Sequence, residues 1–416
     1  MKKNILIIDD SALMRRVLSD IINSDERFHV SEFAVNGLDG LSILQSRGKD
    51  FAAVLLDINM PRMNGIEMLA ELREQKIKAT IIIVSTIAKR DAKETIRALE
   101  LGAFDFVKKP DSYLDVKGNF FSDQLLQCIA TATKTETKAE AFSYLVSNKA
   151  EITKPVIGKT EIGKTELGKT ESGNTESGKT GLSKPDIGNQ VKETSRRKAP
   201  TQLPTSAKKL VALACSTGGP KALHAVIPNL PKNLDAGVLI VQHMPGGFTK
   251  SLADRLNELS QITVKEAEDG DILSKGTVYI AKGGYQMRLI KHEDGNYRLS
   301  ISKEPARHGL LPCADIMYES LVDTNFDQIT CVIMYESLVD TNFDQITCVV
   351  LTGMGGDGTA GISQLTKKQN IYVIAQNEET SIVYGMPKVI RDAGLVDEIV
   401  ALNDVSDAIT KNVGVH

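Results

Sequence analysis

Short apolar runs recur along the first third of the chain, and each stops at a polar residue. Asn4-Ile-Leu-Ile-Ile8 runs into Asp9-Asp10, and Phe51-Ala-Ala-Val-Leu-Leu-Asp57 ends on an acid. Ile81-Ile-Ile-Val84 leads into Ser85-Thr86, and Phe104-Asp-Phe-Val107 into Lys108-Lys109-Pro110. Between these strand-like runs, apolar spacing predicts helices over Ala12 to Asn23, Gly40 to Gln45, Gly65 to Arg73 and Ala92 to Leu101. Gly102-Ala103 closes the fourth, as a helix C-terminus requires. A last helix, over Phe121 to Thr133, completes five βα units. Such alternation implies a parallel sheet with right-handed crossovers.

From residue 134 to residue 206 the pattern stops. Lys, Thr, Glu, Gly and Ser dominate, and a five-residue repeat runs from Gly158-Lys-Thr-Glu-Ile to Gly178-Lys-Thr-Gly-Leu. A segment this poor in apolar residues cannot offset its ordering entropy by burial, so a flexible linker is expected. Gly158 to Thr165, Gly163 to Thr170 and Gly173 to Thr180 each fit G-x-x-x-x-G-K-[ST]. A phosphate-binding loop needs a strand before it and a helix after it, and neither is present. The matches follow from the period of five.

The alternation resumes near Lys208. Strands are expected at Leu210 to Ala214, Gly237 to Val241, Thr277 to Ala281, Thr347 to Leu351 and Ile371 to Ala375. Helices are expected at Pro220 to Ile227, Thr249 to Ser260 and Gly358 to Lys368. The chain therefore divides into an α/β domain over 1–133, a linker over 134–206, and a second, mostly parallel, doubly wound α/β domain over 207–416. The second is long enough for its own core.

Composition adds few constraints. The 416 residues are 42% hydrophobic and 25% charged, ordinary for a globular protein, and the net charge of −3 argues against a nucleic-acid binder. Five cysteines occur without a CxxC spacing, so neither a zinc site nor a redox pair is indicated. No apolar run approaches the ~18 residues of a membrane span. Met1-Lys-Lys-Asn enters a strand without a signal-peptide pattern. A cytoplasmic protein with no direct membrane insertion is expected.

The strand ends carry the candidate chemistry. In open α/β sheets, ligands bind in the crevice beyond the C-terminal strand ends. In the first domain this crevice collects Asp9, Asp10, Asp57, Ser85 and Lys109. Three carboxylates suit Mg²⁺, and a hydroxyl with a lysine suits a phosphoryl group. In the second domain, Ser216 follows one strand in Cys215-Ser-Thr-Gly-Gly-Pro220. His243 follows the next in Gln242-His-Met-Pro245, and Asp357 a later one in Gly353-Met-Gly-Gly-Asp-Gly358. Singly, each reads as a cap, a structural histidine or a turn residue. Together they are a nucleophile, a base and an orienting acid.

The first set resembles the response-regulator receiver domain, a flavodoxin-like fold, with Asp57 as phospho-acceptor. Receiver, linker and second set together resemble the chemotaxis protein-glutamate methylesterase family (CheB). The matching pieces are Ser216-Thr-Gly-Gly-Pro, Val241-Gln-His-Met-Pro, Gly353 to Gly361, Ala375-Gln-Asn-Glu-Glu-Thr and Tyr384-Gly-Met-Pro387. The resemblance implies hydrolysis of glutamate methyl esters on chemoreceptors, often with deamidation of receptor glutamines. It implies Ser216 as nucleophile, His243 as general base and acid, and Asp357 as its orienter. Backbone N–H groups near Thr217 and Met354 would form the oxyanion hole. It further implies Mg²⁺ in the receiver, no cofactor for the esterase step, and a chemotaxis histidine kinase as phosphodonor. Phosphorylation of Asp57 would release inhibition by the receiver.

Two departures stand out. Gln286 occupies a position where the family often has His. More importantly, residues 316–332 are repeated without change as 333–349, a duplicated helix-strand unit just before Asp357. The first copy follows the family-like entry Pro312 to Asp315, and the second runs into Leu351-Thr-Gly-Met354. One unit is surplus, so a catalytically impaired, receptor-binding protein is the rival reading.

Overall fold

The computed structural model describes residues 2–86, 89–110, 119–135, 209–322 and 345–416. The pentapeptide repeats and the P-loop-like matches lie outside the described residues, as does most of the duplicated segment.

The first domain is a parallel five-stranded sheet in the order β2-β1-β3-β4-β5. Its strands are β1 (Lys3–Ile8), β2 (Phe28–Ala34), β3 (Ala53–Asp57), β4 (Ile81–Ser85) and β5 (Asp105–Lys108). The central strands β3 and β4 are buried throughout, as the continuous apolar runs demand of a sheet covered on both faces. Edge strand β2 alternates buried and exposed positions, which is why its sequence lacks an apolar run. The helices are α1 (Ala12–Ser24), α2 (Gly37–Arg47), α3 (Gly65–Glu74), α4 (Lys89–Glu100) and α5 (Asn119–Thr133). Helix α2 begins three residues before the expected Gly40, because the Asn36 side chain accepts the Asp39 N–H and caps it. Asn64 and Glu67 form a capping box at α3.

The second domain is a seven-stranded parallel sheet in the order β14-β13-β12-β6-β7-β9-β8. The expected strands are β6 (Lys209–Cys215), β7 (Gly237–Gln242), β9 (Thr277–Ile280), β12 (Gln345–Val350) and β13 (Ile371–Gln376). The short edge strands β8 (Thr263–Glu266) and β14 (Glu398–Val400), and the antiparallel hairpin of β10 (Gln286–Lys291) and β11 (Tyr297–Ser302), lacked a sequence signal. Helices follow as α6 (Gly219–Val226), α7 (Phe248–Leu259), α8 (Ala314–Ser320), α9 (Thr359–Leu365), α10 (Met386–Asp392) and α11 (Val405–Val413). Helix α9 stops short of the expected Lys368, in turns closed by Lys367 N–H to Gln364 O and Lys368 N–H to Leu365 O.

The duplicated unit is divided between two elements. The first copy supplies Ile316 to Ser320 of α8, and the second supplies Gln345 to Val349 of β12. The surplus lies in residues 323–344, outside the described residues. Both ends sit firmly. Tyr318 is fully buried, with its hydroxyl 3.1 Å from the carbonyl oxygens of Ala212 and Val349. β12 pairs with β6 from Gln345↔Lys209 to Val350↔Ala214.

Candidate functional site

In the first domain, β1 and β3 are neighbours while β2 lies on the other side of β1. This reversal of strand order opens a crevice above Asp9, Asp10 and Asp57. Their carboxylate oxygens lie within 4.8 Å of one another, with Asp9 and Asp57 buried and Asp10 exposed. Three clustered carboxylates are the oxygen donors that Mg²⁺ takes, so the residues present fit that ion. Lys109 Nζ lies 2.9 Å from Asp9 Oδ2 and 2.8 Å from Asp57 Oδ1. Burial pushes the Asp57 carboxyl up to about 6, against the opposing pull of Lys109. Burial acts to lower the Lys109 ammonium, but Asp57 and Asp9 outweigh it and raise it. Ser85 is buried, and its Oγ accepts from the Thr95 hydroxyl at 2.9 Å. All five sequence candidates of this domain thus meet at one sheet edge.

In the second domain the three central strands β12, β6 and β7 end beside one another, and Asp357, Ser216 and His243 follow them. Two glycines make the approach possible. A Cβ at Gly353 would lie 2.8 Å from Ser216 Cβ, and one at Gly219 would strike Gln242 Oε1 at 2.0 Å. The Gln242 amide donates to the carbonyls of Ser216 (3.0 Å) and His243 (3.1 Å), tying the two loops together. His243 Nε2 lies 2.8 Å from Asp357 Oδ2, and both side chains are nearly enclosed. Ser216 Oγ has no hydrogen-bond partner among the described residues. The N–H groups of Thr217 and Met354 likewise have no acceptor among the described residues.

Asp357 is held by groups that the sequence reading did not identify. Its carboxylate accepts the N–H of Ala314 (2.6 Å), Asp315 (3.0 Å) and Gly358 (3.0 Å), and the Cys313 thiol at 3.2 Å. Burial would raise this acid, yet the His243 hydrogen bond and charge, with the Ala314 and Asp315 N–H groups, bring it down to about 2. The carboxylate is therefore charged at any physiological pH. Gln286, the departure noted above, is buried and accepts the Cys313 N–H at 2.9 Å, steadying the same turn. No pattern in the sequence marks these contacts, although an acid at the start of a helix, Asp315, is a recognisable signal.

Elements of the first domain lie against this crevice. The β5 residue Asp105 faces Thr217; burial pushes its carboxyl up to about 7, against the N–H of Phe106 and the Thr217 side chain. From α5, Gln127 Nε2 lies 3.7 Å and Thr131 Oγ1 3.6 Å from the Met354 sulfur. Phe106 packs on Phe248 with ring centroids 4.6 Å apart. Glu100, ending α4, meets His224 Nε2 at 3.0 Å and Arg255 Nε at 2.6 Å. The first domain thus touches both residues expected to form the oxyanion hole. No described helix is long and apolar enough to cross a membrane.

A family model described as CheB methylesterase matches residues 211–409, and one described as response regulator receiver domain matches residues 5–115. The protein-glutamate methylesterase/protein-glutamine glutaminase 1 of Syntrophomonas wolfei is 33% identical, covering 98% of this chain and 98% of its own. The protein-glutamate methylesterase/protein-glutamine glutaminase of Halalkalibacterium halodurans is 36% identical, covering 98% of this chain and 97% of its own. Among solved structures, the Thermotoga maritima CheB methylesterase catalytic domain is 36% identical and covers 49% of this chain and 97% of its own, with a TM-score of 0.42.

Proposed function

This chain belongs to the receiver-linked CheB methylesterase family, and from that premise we propose that it hydrolyses glutamate methyl esters on chemoreceptors under control of Asp57 phosphorylation. The observation that carries the reading is the His243–Asp357 pair at 2.8 Å, one strand from Ser216, whose hydroxyl has no hydrogen-bond partner among the described residues. In the proposed reaction, Ser216 Oγ attacks the ester carbonyl and its proton passes to His243. Asp357 occupies Nε2, so Nδ1 is the nitrogen that takes the proton. The charged Asp357 then stabilises the imidazolium. Thr217 and Met354 N–H groups receive the oxyanion. Collapse expels methanol, which takes the proton back from His243. Water, activated by the same imidazole, cleaves the glutamyl-serine ester to leave glutamate. A glutamine substrate follows the same course and releases ammonia.

In the receiver, Asp9, Asp10 and Asp57 would hold Mg²⁺, which when bound neutralises charge on the incoming phosphoryl group. Asp57 accepts that group from a chemotaxis histidine kinase in the cytoplasm, and Ser85 and Lys109 bind its oxygens. Contacts of Asp105, Gln127 and Thr131 at Thr217 and Met354 support a blocked unphosphorylated state that phosphorylation opens. The domain limits 1–133, 134–206 and 207–416 are part of this proposal.

The test is methanol release from methylated receptor fragments by the full chain, with and without a small-molecule phosphoryl donor. Release should rise with the donor and vanish in Ser216→Ala. No release by the unaltered chain in either state would overturn the reading.

A further inference from the structure

Asp315 is a buried acid for which the mechanism above has no use. It lies in the first turn of α8 and is 6% exposed. Its Oδ1 accepts the N–H of Gly361, in the first turn of α9, at 2.7 Å. Its own N–H donates to Asp357 Oδ1 at 3.0 Å. The two acids therefore exchange helices. Asp357, just before α9, receives N–H groups of α8, and Asp315, in α8, receives an N–H group of α9. The helix starts are also close: a Cβ at Gly361 would lie 2.9 Å from Asp315 O and 2.7 Å from Tyr318 Cβ.

We propose that Asp315 is a positioning residue of the esterase: its carboxylate locks the starts of α8 and α9 together, so that Asp357 stays on His243, and its negative charge adds to that of Asp357 in favouring the imidazolium. This rests on the reading of Ser216, His243 and Asp357 given above. Two like charges this close cannot both be held at ordinary carboxylate values. Asp357 keeps its charge through His243. Asp315 is pushed up to about 6, by burial first and then by Asp357, against the Gly361 N–H and Arg307. The titratable and charged groups that face it are Asp357, the Cys313 thiol, the Tyr318 hydroxyl, Glu319, which also raises it, and Arg307, itself paired with Glu319 at 2.5 Å. Asp315 thus gains its charge as pH rises through about 6, and in this proposal only the charged form adds to the negative field beside the Asp357–His243 pair.

Asp315→Asn separates charge from shape, because the amide oxygen still accepts the Gly361 N–H. Ser216 labelling by a fluorophosphonate is followed by mass spectrometry in the full chain from pH 5 to 9, beside methanol release. The ratio of maximal labelling rates, unaltered over Asp315→Asn, should be near one at pH 5 and climb through pH 6 to about five-fold above pH 7. Affinity for the reagent should not change. Asp315→Glu, which restores the charge, should restore the pH dependence of the rate. A ratio that does not vary with pH, whether one or larger, would overturn the proposal and leave Asp315 a packing residue. Labelling with the expected profile but no methanol release would uphold Asp315 and sink the substrate reading. Absence of labelling in the unaltered chain would sink both.

Discussion

The charge on Asp357 decides how His243 behaves. With its carboxyl at about 2, Asp357 is ionised wherever the enzyme would work, so in the proposed mechanism it orients the ring and does not shuttle protons. Its folded value lies below the ordinary 3.8, so the stability it contributes is present above pH 4 and disappears as pH falls through about 2. Asp357→Asn keeps the shape but presents an amide to Nε2 and to the N–H groups of Ala314 and Asp315. We expect kcat for methanol release to fall by roughly 10³- to 10⁴-fold with KM changed by less than about three-fold. A loss confined to KM would remove Asp357 from the chemistry. Ser216, His243, Asp57 and Lys109 were legible in the sequence because a polar residue at or just past the end of an apolar strand run stands at the sheet edge. Asp357, beyond the end of β12 at Val350, was legible through the glycine-rich motif that carries it. The Asp357 partners were not, because Cys313, Ala314 and Asp315 lie more than 40 residues away in the chain and act mainly through backbone N–H groups.

At the scale of elements, the described residues of the duplication belong to one helix and one strand. Only the first copy is preceded by Cys313-Ala-Asp315, whose N–H and thiol groups bind Asp357. Only the second copy leads without interruption into Leu351-Thr-Gly353, beside Ser216. The site therefore selects α8 from the first copy and β12 from the second. Residues 323–344 then join them, 22 residues where a single copy would leave five. Excising Ile333 to Val349 keeps both junctions. Methanol release should stay within about two-fold of the unaltered chain. A collapse of activity after excision would mean that the site draws on both copies.

Across the whole molecule, a ring contact and an ion pair join the first domain to the second away from the crevice. Phe106 on Phe248 contributes about 0.5–1.5 kcal/mol beyond burial, and the partly exposed Glu100–Arg255 pair no more than about 1 kcal/mol after screening. Removing both, as Glu100→Ala with Phe106→Ala, weakens the closed arrangement by about 1–2 kcal/mol. Unphosphorylated methanol release should then rise about 5- to 30-fold while the phosphorylated rate stays the same. An unchanged basal rate would show that this face does not restrain the enzyme.

The sequence by itself determined the two parallel sheets and the polar residues at their ends, since both follow from apolar periodicity and from the alternation of strand and helix. It also exposed the surplus repeat. It could not order the strands, and strand order is what sets β12, β6 and β7 side by side and so converts three separated motifs into one crevice. Nor could it place α8 against Asp357 or β5 and α5 against Thr217 and Met354. Those contacts depend on distances between surfaces far apart in the chain, and only packing of the whole fold decides such distances.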